Sequence, residues 1–153
     1  MRDNELYQEM ILDHYKNPRN CCSLQHPTHT ASGDNPLCGD QLDIYLNVDG
    51  DVINEITFEG SGCAVSQASA SLMTEHLKGH TIVEALKVFD KVHMMLTGLH
   101  PDEINPEDEK DMGKLNALSG VAEFPMRVKC ASLAWHTLKS ALKSQEESKI
   151  PTE

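Results

Sequence analysis

The sequence predicts an α+β fold, a small antiparallel sheet of about three strands packed against several helices. Three observations carry this expectation. Leu42, Ile44, Leu46 and Val48 alternate with polar residues, which marks a half-buried strand. Asp49-Gly50 then gives a strong hairpin signal before a second such run. Flanking segments repeat their apolar residues every three or four positions, the period of a helix.

The elements follow in order. Residues Asn4 to Lys16 form an amphipathic helix, with Leu6, Tyr7, Met10, Ile11 and His14 at helical spacing. Asn17-Pro18-Arg19-Asn20 ends it, because proline disfavours helix in the residue before it. A polar stretch to about Asn35 reads as an irregular connection with few ordering contacts. Its end, just before Cys38, is a candidate edge strand. After the hairpin, Val52, Ile56 and Phe58 face the core, and Glu55, Thr57 and Glu59 face away. Gly60-Ser61-Gly62 breaks the strand.

From Cys63 to about Leu77 the chain is rich in Ala and Ser, as expected of a helix packed closely against its neighbours. Gly79 closes it. Thr81 with Glu84 is a capping box for the next helix, which carries Ile82, Ala85, Leu86, Phe89, Val92 and Met95. Residues Gly98 to Phe124 are the least regular. They hold an acidic run from Asp102 to Asp111 that reads as a solvated loop. Leu115, Ala117, Leu118 and Val121 form a short helix within them. The last helix carries Val128, Ala131, Trp135, Leu138 and Leu142, and the end from Glu146 to Glu153 frays.

One domain is expected, because 153 residues leave little room for two. The charge is 13 − 24 = −11, and the basic residues are scattered singly. That balance argues against a nucleic-acid partner. No stretch approaches the roughly 18 apolar residues of a membrane span, and no signal peptide opens the chain, so a cytoplasmic protein is expected. In that compartment thiols stay reduced. Five cysteines, an odd count, then read as packing, metal ligands or chemistry.

Three of the five fall at junctions between elements rather than mid-stripe on an apolar face. Cys38 precedes the first clear strand, Cys63 stands at the strand-to-helix break, and Cys130 lies in about the first turn of the last helix. A helix N-terminus favours a thiolate, and both Cys63 and Cys130 are expected near one. Asp40 follows Cys38 by two residues, so in extended backbone both face one side. Cys38, Asp40, Cys63 and Cys130 therefore make a candidate tetrahedral zinc set. Cys21 and Cys22 read as bystander thiols, since adjacent cysteines pair only under strain. His76 and His80 are four apart, but Gly79 argues against a metal pair there. Met94 and Met95 read as core residues.

Four segments in order resemble the IscU/NifU N-terminal family of iron–sulfur cluster assembly proteins. They are His14-Tyr15-Lys16-Asn17-Pro18-Arg19-Asn20, Gly33-Asp34-Asn35-Pro36-Leu37-Cys38-Gly39-Asp40, Gly62-Cys63-Ala64-Val65-Ser66-Gln67-Ala68-Ser69 and Arg127-Val128-Lys129-Cys130. Within the family the chain is similar to the SufU branch. Lys129 stands where IscU-type scaffolds have a histidine ligand, and the stretch between Cys63 and Cys130 is longer. Phe124-Pro125-Met126-Arg127-Val128-Lys129 stands where IscU carries its Leu-Pro-Pro-Val-Lys chaperone signature.

The resemblance implies a single SufU/IscU-like domain over residues 1–153, with 98–124 as an insertion and 146–153 as a frayed tail. It implies zinc held by Cys38, Asp40, Cys63 and Cys130. It further implies that Cys38 accepts persulfide sulfur from a SufS-type cysteine desulfurase, a PLP enzyme, and passes it toward downstream SUF scaffold proteins. One alternative is an IscU-like scaffold that assembles a transient [2Fe–2S] cluster, with iron on the same residues. Another is a purely structural zinc module, although a carboxylate with glycine-flanked thiolates suits a labile site better.

Overall fold

The computed structural model describes residues 2–35, 39–97, 115, 118, 121 and 124–144. Helix α1 spans Arg2–Lys16. Strands β1 (His29–Asn35), β2 (Asp40–Asp49) and β3 (Val52–Ser61) follow. Helices α2 (Ala64–Leu77), α3 (Ile82–Leu96) and α4 (Pro125–Ser144) complete the described elements. The strands form one antiparallel sheet in the order β1-β2-β3.

The expected alternation holds along β2, where Leu42, Ile44 and Leu46 are fully buried. Along β3 it shifts by one residue. The register jumps between Asn47 and Val48, so Ile53 opposes Val48 and enters the core, while Val52 is only half buried. Such a bulge flips the side chains beyond it to the other face. Thr57, expected outside, is also buried. The turn is as expected: Asp49 pairs with Val52, and Gly50 takes a positive φ of 64°.

Helix α4 covers β1 and β2, and α2 covers β3, with α1 and α4 flanking α2 and α3 packing on α4. This layering buries the apolar sheet face under helices. The Ala- and Ser-rich α2 is accordingly buried on nearly every side. Its hydroxyls serve its neighbours. Ser69 donates to the Ala131 carbonyl at 2.7 Å and accepts from Trp135 Nε1 at 3.1 Å, which fastens α2 to α4. Ser71 shares a 2.7 Å hydrogen bond with Nδ1 of the fully buried His14 in α1.

Two expectations are corrected here. The segment after α1 is ordered rather than loosely held. The Arg19 amide donates to Ser71 Oγ at 2.8 Å, and the Asn20 side chain donates to Thr74 Oγ1 at 3.2 Å. Cys21 bridges to Phe58, and residues from His29 onward are the edge strand. The hydroxyls of α2, not apolar side chains, pin this segment, which is why its polarity hid its order. In the second correction, the Met94-Met95 pair splits: Met95 is buried and Met94 is exposed.

The capping box at α3 is present in full, with Thr81 and Glu84 each accepting from the other's backbone amide. Leu115, Leu118 and Val121 are all fully buried in the core, so these three positions feed the interior. Ala117, the acidic run 102–111 and the chain from 145 onward lie outside the described residues.

Candidate metal centre

Three candidate ligands come together from three elements. Asp40 opens β2, Cys63 is the N-cap of α2, and Cys130 lies on α4. One ligand atom from each lies within 4.8 Å of the others. Among the described residues this is the single cluster of three or more metal-binding side chains. The fourth candidate, Cys38, lies outside the described residues.

The local sequence explains the geometry. Gly62 has φ of 146° between β3 and α2, and a Cβ there would fall on the Asp40 carboxylate. A glycine is needed for the turn to wrap this carboxylate closely. The Cys63 amide then donates to Asp40 Oδ1 at 2.8 Å. The positive end of α2 thus faces Asp40 and the Cys63 thiol. Asp40 Oδ2 stands 3.9 Å from Cys63 Sγ. A sulfur and an oxygen ligand on one tetrahedral zinc stand about 3.5–3.7 Å apart, given Zn–S near 2.3 Å and Zn–O near 2.0–2.2 Å. The spacing therefore needs only a slight contraction.

Burial supports the same assignment. Asp40 is 0% exposed and Cys130 3% exposed, while Cys63 is partly open. The described ion pairs are His14–Glu75 and Arg19–Asp13, and neither reaches Asp40. A buried carboxylate beside two thiols, with no cationic side chain paired to it among the described residues, fits a cation held in their midst. The donor set suits zinc.

Cys130 differs from its expected position. Pro125 starts α4, so Cys130 is the sixth helical residue and sits in the second turn. Its amide is therefore inside the helix, and of the two thiols only Cys63 stands at a helix N-terminus. Cys130 also lies on the buried face beside Ala131, among the core residues. Cys21 and Cys22 are exposed, outside the cluster. Partial burial, with Cys22 and Glu59 adding, pushes the Cys21 thiol above its ordinary value, so it stays protonated at neutral pH. His76, in the last turn of α2, stacks on His80 just beyond that helix at 5.6 Å, and among the described residues the two join no cluster of three.

Sequence reasoning missed the surroundings of the site. A cleft of about 530 Å³ opens on Cys63 and Cys130, with Ile11, Leu12, Val65 and Met126 among its walls. Leu12 is 50% exposed and Met126 53%. Leu12 lies off the buried stripe of α1, a signal that was available in the sequence.

The NifU-like N terminal domain model matches residues 6–131, and the chain belongs to that family. The zinc-dependent sulfurtransferase SufU of Bacillus subtilis (strain 168) is 40% identical over 141 residues, covering 92% of each chain. The iron–sulfur cluster assembly scaffold protein IscU of Streptococcus pyogenes serotype M1 is 39% identical over 140 residues, covering 92% of this chain and 84% of its own. A crystal structure from the thermophile Fervidobacterium islandicum AW-1, described as an iron–sulfur cluster assembly scaffold protein for the SUF system, superposes with a TM-score of 0.82. It is 37% identical, and the match covers 91% of this chain and 98% of that one.

Proposed function

We propose that the chain serves iron–sulfur cluster assembly as a zinc-holding sulfur carrier. In this reading it takes persulfide sulfur on Cys38 from a SufS-type, PLP-dependent cysteine desulfurase and stimulates that enzyme. It acts in the cytoplasm as one domain over residues 1–153 and hands sulfur to downstream SUF scaffold proteins. The observation that carries the reading is the buried set of Asp40, Cys63 and Cys130 beside an apolar cleft. A family that contains a zinc-dependent sulfurtransferase supports it.

The ligands of this reading are Cys38, Asp40, Cys63 and Cys130. Bound zinc would keep the thiols deprotonated at neutral pH. Asp40 Oδ1 is engaged by the Cys63 amide, which leaves Oδ2 for the ion. Cys63 and Cys130 ride on packed helices and are the fixed part of the site. Cys38 is two residues from Asp40, so covalent geometry alone keeps their Cα atoms within about 7 Å. It belongs to the connection between β1 and β2, and is the thiolate that reacts. That thiolate attacks the outer sulfur of the desulfurase persulfide, and the enzyme's cysteine leaves as thiolate. Cys38 then carries the persulfide. Exposed Leu12 and Met126 on the cleft rim offer the partner an apolar footing.

A second reading is an IscU-like scaffold, in which the same residues hold a transient [2Fe–2S] cluster. The IscU relatives favour it. Metal analysis with a desulfurase assay separates the two. One zinc per chain and strong stimulation, lost in Cys38→Ala, supports sulfur transfer. A coloured, transferable cluster without stimulation supports the scaffold.

A further inference from the structure

We propose that His93 and His136 form a second metal site, a two-imidazole clip for a borderline divalent ion such as Ni²⁺, Cu²⁺ or Zn²⁺. His93 lies in the last turn of α3 and His136 lies on α4. Their ring centroids stand 5.8 Å apart at an interplanar angle of 80°. Two imidazoles on one tetrahedral ion have centroids about 5 Å apart, given a metal–nitrogen distance near 2.0–2.1 Å. The observed separation is within about 1 Å of that value, and side-chain rotation would bring one nitrogen of each to a shared ion. Imidazole is a preferred donor for this class of metal.

The surroundings suit the role. Phe89 stacks on His93 at 6.0 Å and meets His136 edge-on at 5.3 Å, so both rings rest on one apolar wall. Both histidines are exposed, and water can complete the coordination. Partial burial, with His93 and Lys139 adding, holds His136 below the ordinary histidine value, so its lone pair is free at neutral pH. Lys139 Nζ sits 4.7 Å from the Phe89 centroid and is a cation that opposes the ion. The pair shares no ligand with the thiol site, and its ion would tie the end of α3 to α4.

The test is a nickel titration at neutral pH of chain already loaded with one zinc, followed by calorimetry and by the imidazole proton signals. The expected result is one added Ni²⁺ per chain, with broadening at His93 and His136. His93→Gln and His136→Gln should each weaken binding by roughly tenfold or more. Lys139→Gln should tighten it, a change that nonspecific uptake would not show. The zinc content and circular dichroism of each variant establish that the fold and the thiol site persist. Nickel binding of equal strength in the wild type and both histidine variants overturns the proposal, as does the absence of broadening at the two rings.

Discussion

At the scale of single residues, the centre depends on Gly62 and Asp40. Gly62→Ala places a methyl group against the Asp40 carboxylate at a φ that side chains rarely adopt. The expected cost is about 2 kcal/mol by chemical denaturation, with loss of bound metal. Asp40→Ala removes a candidate ligand and leaves the Cys63 amide without its acceptor, which costs about 1–3 kcal/mol. Asp40→Asn keeps a carbonyl for that amide. It should therefore retain most of the stability while losing metal, a split that zinc analysis beside denaturation resolves. Cys63 and Asp40 were legible in the sequence because glycines and a strand-to-helix break flank them. The burial of Cys130 in the core was not, because it depends on where Pro125 starts the helix and on how α4 meets α2.

At the scale of elements, polar side chains decide how the helices sit. Ser69→Ala would leave the Ala131 carbonyl and Trp135 Nε1 without that partner in the interior. We expect a loss of about 2 kcal/mol and a shifted emission from the one tryptophan of the chain. Bound metal should also weaken, because Ala131 follows Cys130. The capping box gives a pH-dependent test. The Thr81 backbone amide, chief among the causes, holds the Glu84 carboxyl below its ordinary value. A depressed folded value means that the contribution is present above the unfolded value, near 4.5, and is lost as pH falls through the folded one. The stability gap between wild type and Glu84→Gln should therefore close on acidification below that range. A gap that stays constant would assign the difference to something other than this carboxylate.

The same scale shows what a linear reading can see. The capping box, the hairpin and the long helices are set by local spacing, and they stand where the sequence puts them. The bulge at Asn47 and the ordering of Arg19 and Asn20 are set by partners about 50 residues away or on a neighbouring strand. The partners of Arg19 and Asn20 are the hydroxyls of Ser71 and Thr74, which local patterning reads only as small polar residues.

At the scale of the whole molecule, the centre joins one strand to two helices. A metal ion held by Asp40, Cys63 and Cys130 would therefore stabilise the packing of β2, α2 and α4 together. Free zinc at about a hundred times its dissociation constant adds about 2.7 kcal/mol to folding stability, so a chelator should lower the melting temperature reversibly. The net charge of −11 gives no drive toward nucleic acid, and no helix among the described residues is long and apolar enough to cross a membrane. The exposed apolar rim beside the buried donors accords with docking to a protein partner.

The most direct test of sulfur transfer through Cys38 is mass spectrometry of the zinc-loaded chain after brief incubation with cysteine and a SufS-type desulfurase. The expected result is a gain of one sulfur atom, mapped to Cys38, sensitive to reductant and absent from Cys38→Ala. No sulfur on Cys38, together with undiminished stimulation of the desulfurase by Cys38→Ala, would contradict it.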